Sequence, residues 1–121
     1  MARILVVDNH PVVLQSMKVF LEAAGHVVVT SGGAREGLRK ARRQRPELAL
    51  IDYELEDMSG AAACKAIQAD PSLCGMPVLL VTGGILHEVE PVALAAGAKG
   101  VIVKPFTMEQ LQNEVARHLG T

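Results

Sequence analysis

Four short polar segments, each placed directly after a run of apolar residues, hold the side chains that could do chemistry in this chain. They are Asp8-Asn9, Asp52, Thr82-Gly83-Gly84 and Lys104-Pro105. Carboxylate and amide oxygens favour a hard cation such as Mg²⁺, which takes one or two protein carboxylates together with phosphoryl oxygens. A carboxylate can also attack phosphorus, while an ammonium and a hydroxyl bind the phosphoryl oxygens. These residue types fit an aspartyl phosphate site if the fold brings the segments together.

The apolar runs before these segments belong to a set of five that predicts one parallel sheet. Each run is short, rich in β-branched residues and free of polar alternation, as expected for strands buried on both faces. The runs lie at residues 4–7, 27–29, 48–51, 78–81 and 101–103. The carboxyl ends of such strands meet at one edge, where ligands of open α/β sheets bind.

Helical patterns fill the intervals between the runs, at residues 11–24, 34–45, 60–69, within 85–96, and from Thr107 onward. Gly25 is placed for a left-handed cap after the first helix, and Thr107 with Gln110 predicts a capping box at the last. Pro91 is expected in the first turn of the fourth helix, or to shorten that helix. The sequence therefore predicts an α/β fold of five β-α units, with helices on both faces of the sheet.

Length and composition limit the kind of protein that can carry this site. The 121 residues, 50% hydrophobic and 21% charged, predict one folded domain. Aromatic residues make up only 2% of the chain, which argues against base stacking. The net charge of −1 provides no general attraction to nucleic acid or membrane. The cluster of basic residues at 35–45 is therefore interpreted as a solvated helix face or a patch for an acidic partner.

Spacing also argues against other sites. Cys64 and Cys74 do not form a C-x-x-C pair, and the four histidines are scattered, so structural zinc is not expected. His10, before Pro11, is interpreted as a surface residue. No run approaches the ~20 apolar residues of a membrane span, and we expect a cytoplasmic protein.

Four segments resemble the receiver domain of two-component response regulators. They read ILVVDNHP at residues 4–11, LALID at 48–52, VLLVTG at 78–83 and GAKGVIVKPF at 97–106. The resemblance covers the whole chain, residues 1–121, as a single domain. It implies a CheY-like, flavodoxin-like doubly wound fold with strand order 2-1-3-4-5.

The resemblance also implies a role for each site residue. Asp52 would accept a phosphoryl group, and Asp8 and Asn9 match the acidic pair that holds Mg²⁺, together with Asp52 itself and the backbone carbonyl of Glu54. Thr82 matches the hydroxyl that follows the phosphoryl group, and Gly83 matches the residue whose amide donates to that group. Lys104 matches the family's lysine, and the Lys104-Pro105 bond matches a peptide bond that is cis in the family. Val101 matches the switch position.

The partners implied by the resemblance are proteins. A sensor histidine kinase or phosphotransfer protein would supply the phosphoryl group, and an output domain or downstream protein would read the state. A homodimer could form through the fourth helix, fifth strand and fifth helix. The domain would be no enzyme beyond self-catalysed phosphoryl acceptance and dephosphorylation, and would bind neither nucleic acid nor membrane directly.

Four positions depart from the family's pattern. Asn9 replaces the usual second acidic residue, so we expect weaker Mg²⁺ binding. Glu54 would flank the path of attacking water, and could supply the missing carboxylate. Val101 replaces the usual Tyr or Phe, so switching by ring rotation is not expected. Glu56 replaces a common proline, which predicts a looser loop over residues 55–60.

Two other functions are kept as alternatives. A degenerate receiver would bind partners without phosphorylation, which fits Asn9 and Val101. A flavodoxin-like cofactor protein is opposed by Asp8, which would repel phosphate, and by the scarcity of aromatics. The kinase, the pathway, the output and the oligomeric state are left open, as is whether Thr121 is the natural end.

Overall fold

Five parallel strands alternate with five helices in the computed structural model, which describes residues 1–119. The strands are β1 (Arg3–Val7), β2 (Val27–Ser31), β3 (Leu48–Asp52), β4 (Val78–Thr82) and β5 (Gly100–Val103). The helices are α1 (Pro11–Ala23), α2 (Ala34–Gln44), α3 (Gly60–Ala69), α4 (Leu86–Ala95) and α5 (Met108–His118). The sheet order is β2-β1-β3-β4-β5, and all pairs are parallel. The predicted fold and strand order are therefore confirmed, while Gly120 and Thr121 lie outside the described residues.

The core lies in two layers, one on each face of the sheet. Along β1, Leu5 and Val7 pack on the face that α2, α3 and α4 cover. Ile4 and Val6 point to the other face and pack with residues of α1 and α5. Because both faces are covered, every residue of β3 and β4 is buried. This explains why the strands read as continuous apolar runs rather than alternating ones.

The helix ends follow the capping signals in the sequence. Gly25 has φ +89° after α1, and Thr107 with Gln110 forms the predicted capping box of α5. Helix α2 ends at Gln44, one residue before the predicted end, because Arg45 adopts the left-handed conformation with φ 51°. This conformation costs a non-glycine residue about 1–2 kcal/mol. Among residues 1–119, no helix is long and apolar enough to cross a membrane.

The prediction for Pro91 is wrong. Helix α4 starts at Leu86 and runs on to Ala95, so Pro91 lies in its second turn without shortening it. Proline removes the N–H that would bond to the carbonyl of His87, four residues earlier. Both residues are exposed, so water can satisfy that carbonyl.

The loop between β3 and α3, residues 53–59, is held by three contacts. The Asp57 carboxylate accepts hydrogen bonds from the N–H groups of Ala34 and Arg35, at 3.0 and 2.9 Å, and so caps α2 from another part of the chain. Glu54 and Ser59 form an isolated antiparallel bridge, and the Ser59 side chain caps α3. These contacts oppose the expectation that Glu56 leaves the loop loose.

Replacing Asp57 with Ala is expected to lower the free energy of unfolding by about 1 kcal/mol, the usual cost of losing a helix cap. The N–H groups of Arg35 and Ala34 hold the pKa of Asp57 below its ordinary value. The stabilisation is therefore present above the ordinary pKa of aspartate and is lost as pH falls through the lowered pKa. Urea unfolding followed by circular dichroism measures it. Glu56→Ala, at an exposed neighbour, is the control, and equal effects of the two substitutions would contradict the cap.

Candidate functional site

The strand register places the predicted polar residues at one edge of the sheet. Asp52 ends β3 and pairs with Val81, and Thr82 ends β4 and pairs with Val103. Asp8 directly follows β1, whose last residue Val7 pairs with Ile51. Asp8, Asp52 and Thr82 are buried, at 1%, 4% and 1% exposure. The end of the sheet therefore holds two buried carboxylates and a buried hydroxyl.

The Lys104 ammonium lies between the two carboxylates. Its Nζ is 3.1 Å from Asp8 Oδ2 and 3.5 Å from Asp52 Oδ2. Lys104 follows β5, and its backbone N–H donates to the Thr82 carbonyl at 2.7 Å. The peptide bond from Lys104 to Pro105 is cis, as the resemblance implies. One cation thus partly compensates the mutual repulsion of two buried anions.

The environment of Asp52 disfavours its charged form. Burial raises the pKa of this carboxyl above its ordinary value, and the nearby charge of Asp8 acts in the same direction. The Glu54 N–H donates to Asp52 Oδ1 at 3.3 Å, and the Lys104 ammonium lies 3.5 Å from Asp52 Oδ2. These two groups lower the pKa but do not overcome the burial. Asp52 is therefore a carboxylate with few partners of its own.

Asn9 presents an oxygen without a partner. Within residues 1–119, its Oδ1 is the buried side-chain atom that lacks a hydrogen bond. Asn9 directly follows Asp8, so this oxygen belongs to the same turn as a site carboxylate. A buried oxygen without a donor loses the hydration it had in the unfolded chain, and a bound cation would compensate it.

His10 belongs to the site, although the sequence interpretation placed it only on the surface. Its side chain is 64% exposed, yet its Nδ1 lies 3.2 Å from Asp8 Oδ1 and 4.0 Å from Asp52 Oδ2. The His10 N–H donates to the same Asp8 oxygen at 2.8 Å, which forms a tight turn after β1. The sequence signal that could have identified His10 is its position two residues after a site aspartate, because an Asx turn folds that residue back toward the aspartate.

The remaining predicted residues lie around this group. Thr82 Oγ1 accepts a hydrogen bond from the Gly84 N–H at 2.9 Å, and Gly83 is exposed beside it. The Glu54 side chain is exposed next to Asp52. Val101 is half-buried and packs against the core layer on the α2–α4 side of the sheet.

The donor set fits a divalent cation. Asp8, His10 and Asp52 each offer a ligand atom, and these atoms lie within 4.8 Å of one another. The Asn9 oxygen adds a further donor without a partner. Two buried carboxylates with one lysine retain negative charge, which a metal ion would neutralise. The acidic cluster could therefore bind a metal.

The fold and the site define a class of protein: a flavodoxin-like doubly wound domain with an acidic cluster and a lysine at the carboxyl edge of its sheet. The family described as response regulator receiver domain matches residues 4–116. The chain belongs to this family, the receivers of two-component systems.

Relatives include both longer regulators and single domains. The probable transcriptional regulatory protein TcrX of Mycobacterium tuberculosis is 33% identical over 108 residues, which cover 89% of this chain and 45% of TcrX. The DNA-binding response regulator MtrA of Mycolicibacterium smegmatis is 30% identical, covering 97% of this chain and 50% of MtrA. Protein PilH of Pseudomonas aeruginosa is 29% identical, with 92% of both chains covered. This chain thus spans about half the length of TcrX and MtrA.

Solved structures share the whole fold. The chemotaxis response regulator CheY4 of Vibrio cholerae is 32% identical, with a TM-score of 0.91 and 97% and 98% of the two chains covered. A CheY-like receiver domain protein of Methanospirillum hungatei is 34% identical, with a TM-score of 0.89 and coverage of 98% and 94%.

Replacing Asp52 with Asn is expected to stabilise the metal-free protein near neutral pH, because burial disfavours the charged carboxylate. Since the pKa of Asp52 is raised, the folded chain binds this proton more readily than the unfolded chain. Stability of the wild type therefore falls as pH rises from the ordinary pKa through the raised one. Urea unfolding in EDTA, at about pH 7 and at about pH 4, close to the ordinary pKa, measures the difference.

The variant's advantage should be present at the higher pH and shrink at the lower. Asp57→Asn is the matched control with the opposite sign, because the pKa of Asp57 is lowered. Its stability loss should be largest near neutral pH. A wild type more stable than Asp52→Asn at neutral pH would show that Lys104 outweighs the burial.

Proposed function

We propose that this receiver domain accepts a phosphoryl group on Asp52 from the phosphohistidine of a sensor histidine kinase or phosphotransfer protein. The observation that carries the proposal is the Asp52 carboxylate, buried at the end of β3 with Lys104 and Asp8 beside it. Membership of the receiver family supports it.

The transfer forms one bond and breaks one. An Asp52 carboxylate oxygen attacks the phosphorus, and the bond from phosphorus to the donor's imidazole nitrogen breaks, with its electron pair staying on that nitrogen. The fixed ammonium of Lys104 binds a phosphoryl oxygen and stabilises the charge that develops there. Thr82 and the Gly83 N–H lie at the neighbouring strand end and would bind the other oxygens.

Mg²⁺ is the proposed cofactor, held by Asp8, Asp52, Asn9 and the backbone carbonyl of Glu54. When bound, it neutralises charge on the phosphoryl oxygens. The unpartnered Asn9 oxygen supports this set, although an amide adds no negative charge. The proposed Mg²⁺ affinity is therefore lower than that of a site with a third carboxylate.

The phosphoryl group is lost by hydrolysis, and the domain turns over no other substrate. Water attacks the phosphorus, the bond to the Asp52 oxygen breaks and inorganic phosphate leaves. The exposed Glu54 side chain lies beside Asp52, and its charge would influence the lifetime of the phosphoryl group. We propose that the domain is a switch rather than an enzyme, acting in the cytoplasm.

The proposed output face is formed by α4, β5 and α5. It exposes several apolar side chains, which suit an output domain, a downstream protein or a second copy of the chain. They are Ile85, Leu86, Val92, Leu94, Val103 and Met108. Val101 belongs to β5, three residues before Lys104 of the site, and its small aliphatic side chain favours transmission by backbone movement.

Incubation with acetyl phosphate and Mg²⁺ is expected to add the mass of one phosphoryl group, measured by intact-protein mass spectrometry. Asp52→Asn should abolish the gain, and Lys104→Ala should slow it by about 10²–10³-fold, the usual effect of removing a fixed charge-stabilising group. Asp70→Asn, at an aspartate that follows α3 outside the site, should take up phosphoryl like the wild type. No uptake by the wild type with either Mg²⁺ or Mn²⁺ would favour a phosphorylation-independent interaction module.

Val101→Tyr is expected to enlarge the response of the output face to phosphorylation, because it introduces a ring that can change its burial. Amide chemical shifts of α4 and β5, measured by NMR with and without acetyl phosphate, report the response. Val27→Tyr is the matched control, since Val27 is exposed on β2 at the opposite edge of the sheet. If the two variants and the wild type respond equally, residue 101 has no part in the output.

A further inference from the structure

The His10 imidazole lies at the exposed edge of the acidic site, where it approaches the same Asp52 oxygen as Lys104 but the other oxygen of Asp8. Lys104 Nζ contacts Oδ2 of Asp8, whereas His10 Nδ1 faces Oδ1 of the same carboxylate at 3.2 Å. The same ring nitrogen is 4.0 Å from Asp52 Oδ2. The Asp8 carboxylate is thus shared between a lysine on one oxygen and a histidine on the other.

These separations match the spacing of ligands around one metal ion. Metal–ligand bonds to imidazole and carboxylate are about 2.0–2.2 Å long, so two atoms bound to one ion are at most ~4.2 Å apart. Both His10 distances, 3.2 and 4.0 Å, satisfy this limit. The turn after β1, closed by the hydrogen bond from the His10 N–H to Asp8, fixes the backbone beneath the ring. The three ligand atoms lie within 4.8 Å of one another. Small side-chain rotations on this backbone would therefore bring the imidazole and both carboxylates to one ion.

The donor types then decide which ions are favoured. Mg²⁺ prefers oxygen ligands and gains most from carboxylates, but Asn9 supplies only a neutral oxygen, which the structure leaves without a partner. Imidazole suits first-row transition ions such as Co²⁺, Ni²⁺ and Zn²⁺. The amide of Asn9 in place of a carboxylate lowers the preference of the site for Mg²⁺. The imidazole of His10 raises its preference for transition ions.

We propose that His10 is a metal ligand of this receiver, and that its site binds a divalent transition-metal ion through one imidazole nitrogen as well as oxygens. The proposal deepens the proposed function, since it concerns the cation of the same site. It assigns His10 a selectivity role: the ring contributes to the affinity for transition ions and little to the affinity for Mg²⁺.

The test is isothermal titration calorimetry of the full chain with Co²⁺ and, separately, with Mg²⁺, at one fixed pH. His10→Ala should lower the Co²⁺ affinity by at least about tenfold, because even outer partners of a metal site change affinity by 10–100-fold. Its Mg²⁺ affinity should stay within about twofold. His10→Asn repeats the measurement with a polar side chain, and circular dichroism checks the fold.

Two further variants fix the interpretation. His87→Ala, at an exposed histidine of α4, is the matched control and should leave both affinities unchanged. Asn9→Asp should raise the Mg²⁺ affinity, because it restores a carboxylate.

Equal Co²⁺ affinity in His10→Ala and the wild type, or an equal loss for both ions, would overturn the proposal. Phosphoryl uptake by His10→Ala in saturating Mg²⁺ is measured in parallel, so this proposal can fail while the proposed function stands.

Discussion

Two carboxylates of like charge are buried side by side at the end of the sheet, and much of the molecule serves to hold them there. Asp8 and Asp52 end neighbouring strands, β1 and β3, so their approach follows from the strand order. At about 4 Å, such charges repel by roughly 4 kcal/mol at an effective dielectric of 20. The compensating ammonium of Lys104 comes from beyond β5 and must reach across the end of β4. Thr82 ends β4 at this point, and its small side chain leaves room for Lys104 to reach the carboxylates.

The same constraint explains how the chain is held after Asp52. A residue that must keep a buried, under-compensated carboxylate in place needs a fixed backbone on its carboxyl side. Gly60 comes so close to the Asp52 carbonyl that an added Cβ would overlap it. The intervening loop is tied to α2 by the Asp57 cap and closed by the bridge between Glu54 and Ser59. The Glu54 N–H that donates to Asp52 is thereby positioned from both ends of the loop.

The strands and the main site residues could be predicted because they depend on local patterns and on one rule of parallel sheets. Continuous apolar runs mark strands buried on both faces, and polar residues after them must meet at one edge. The strand order itself came only from the family resemblance. The roles of His10 and Asp57 could not be predicted, because their contacts depend on how a turn directs each side chain in space. Pro91 was misjudged because a helix can lose one hydrogen bond where its carbonyl faces water.

Asn9 and Val101, two positions that depart from the family's pattern, lie at the two ends of the proposed signal route. Asn9 belongs to the site, and Val101 belongs to a strand of the proposed output face. At the site, Asn9 leaves two carboxylates against one lysine, so the metal-free pocket carries less repulsion than three carboxylates would. At the other end, Val101 is half-buried against the core layer that α2, α3 and α4 cover. Three residues after Val101, the Lys104 N–H donates to the Thr82 carbonyl at 2.7 Å, which ties the end of β4 to the residue after β5. A phosphoryl group that drew on Thr82 and Lys104 together would displace the ends of β4 and β5 as a unit. The proposed output therefore depends on strand displacement, for which a compact valine is sufficient.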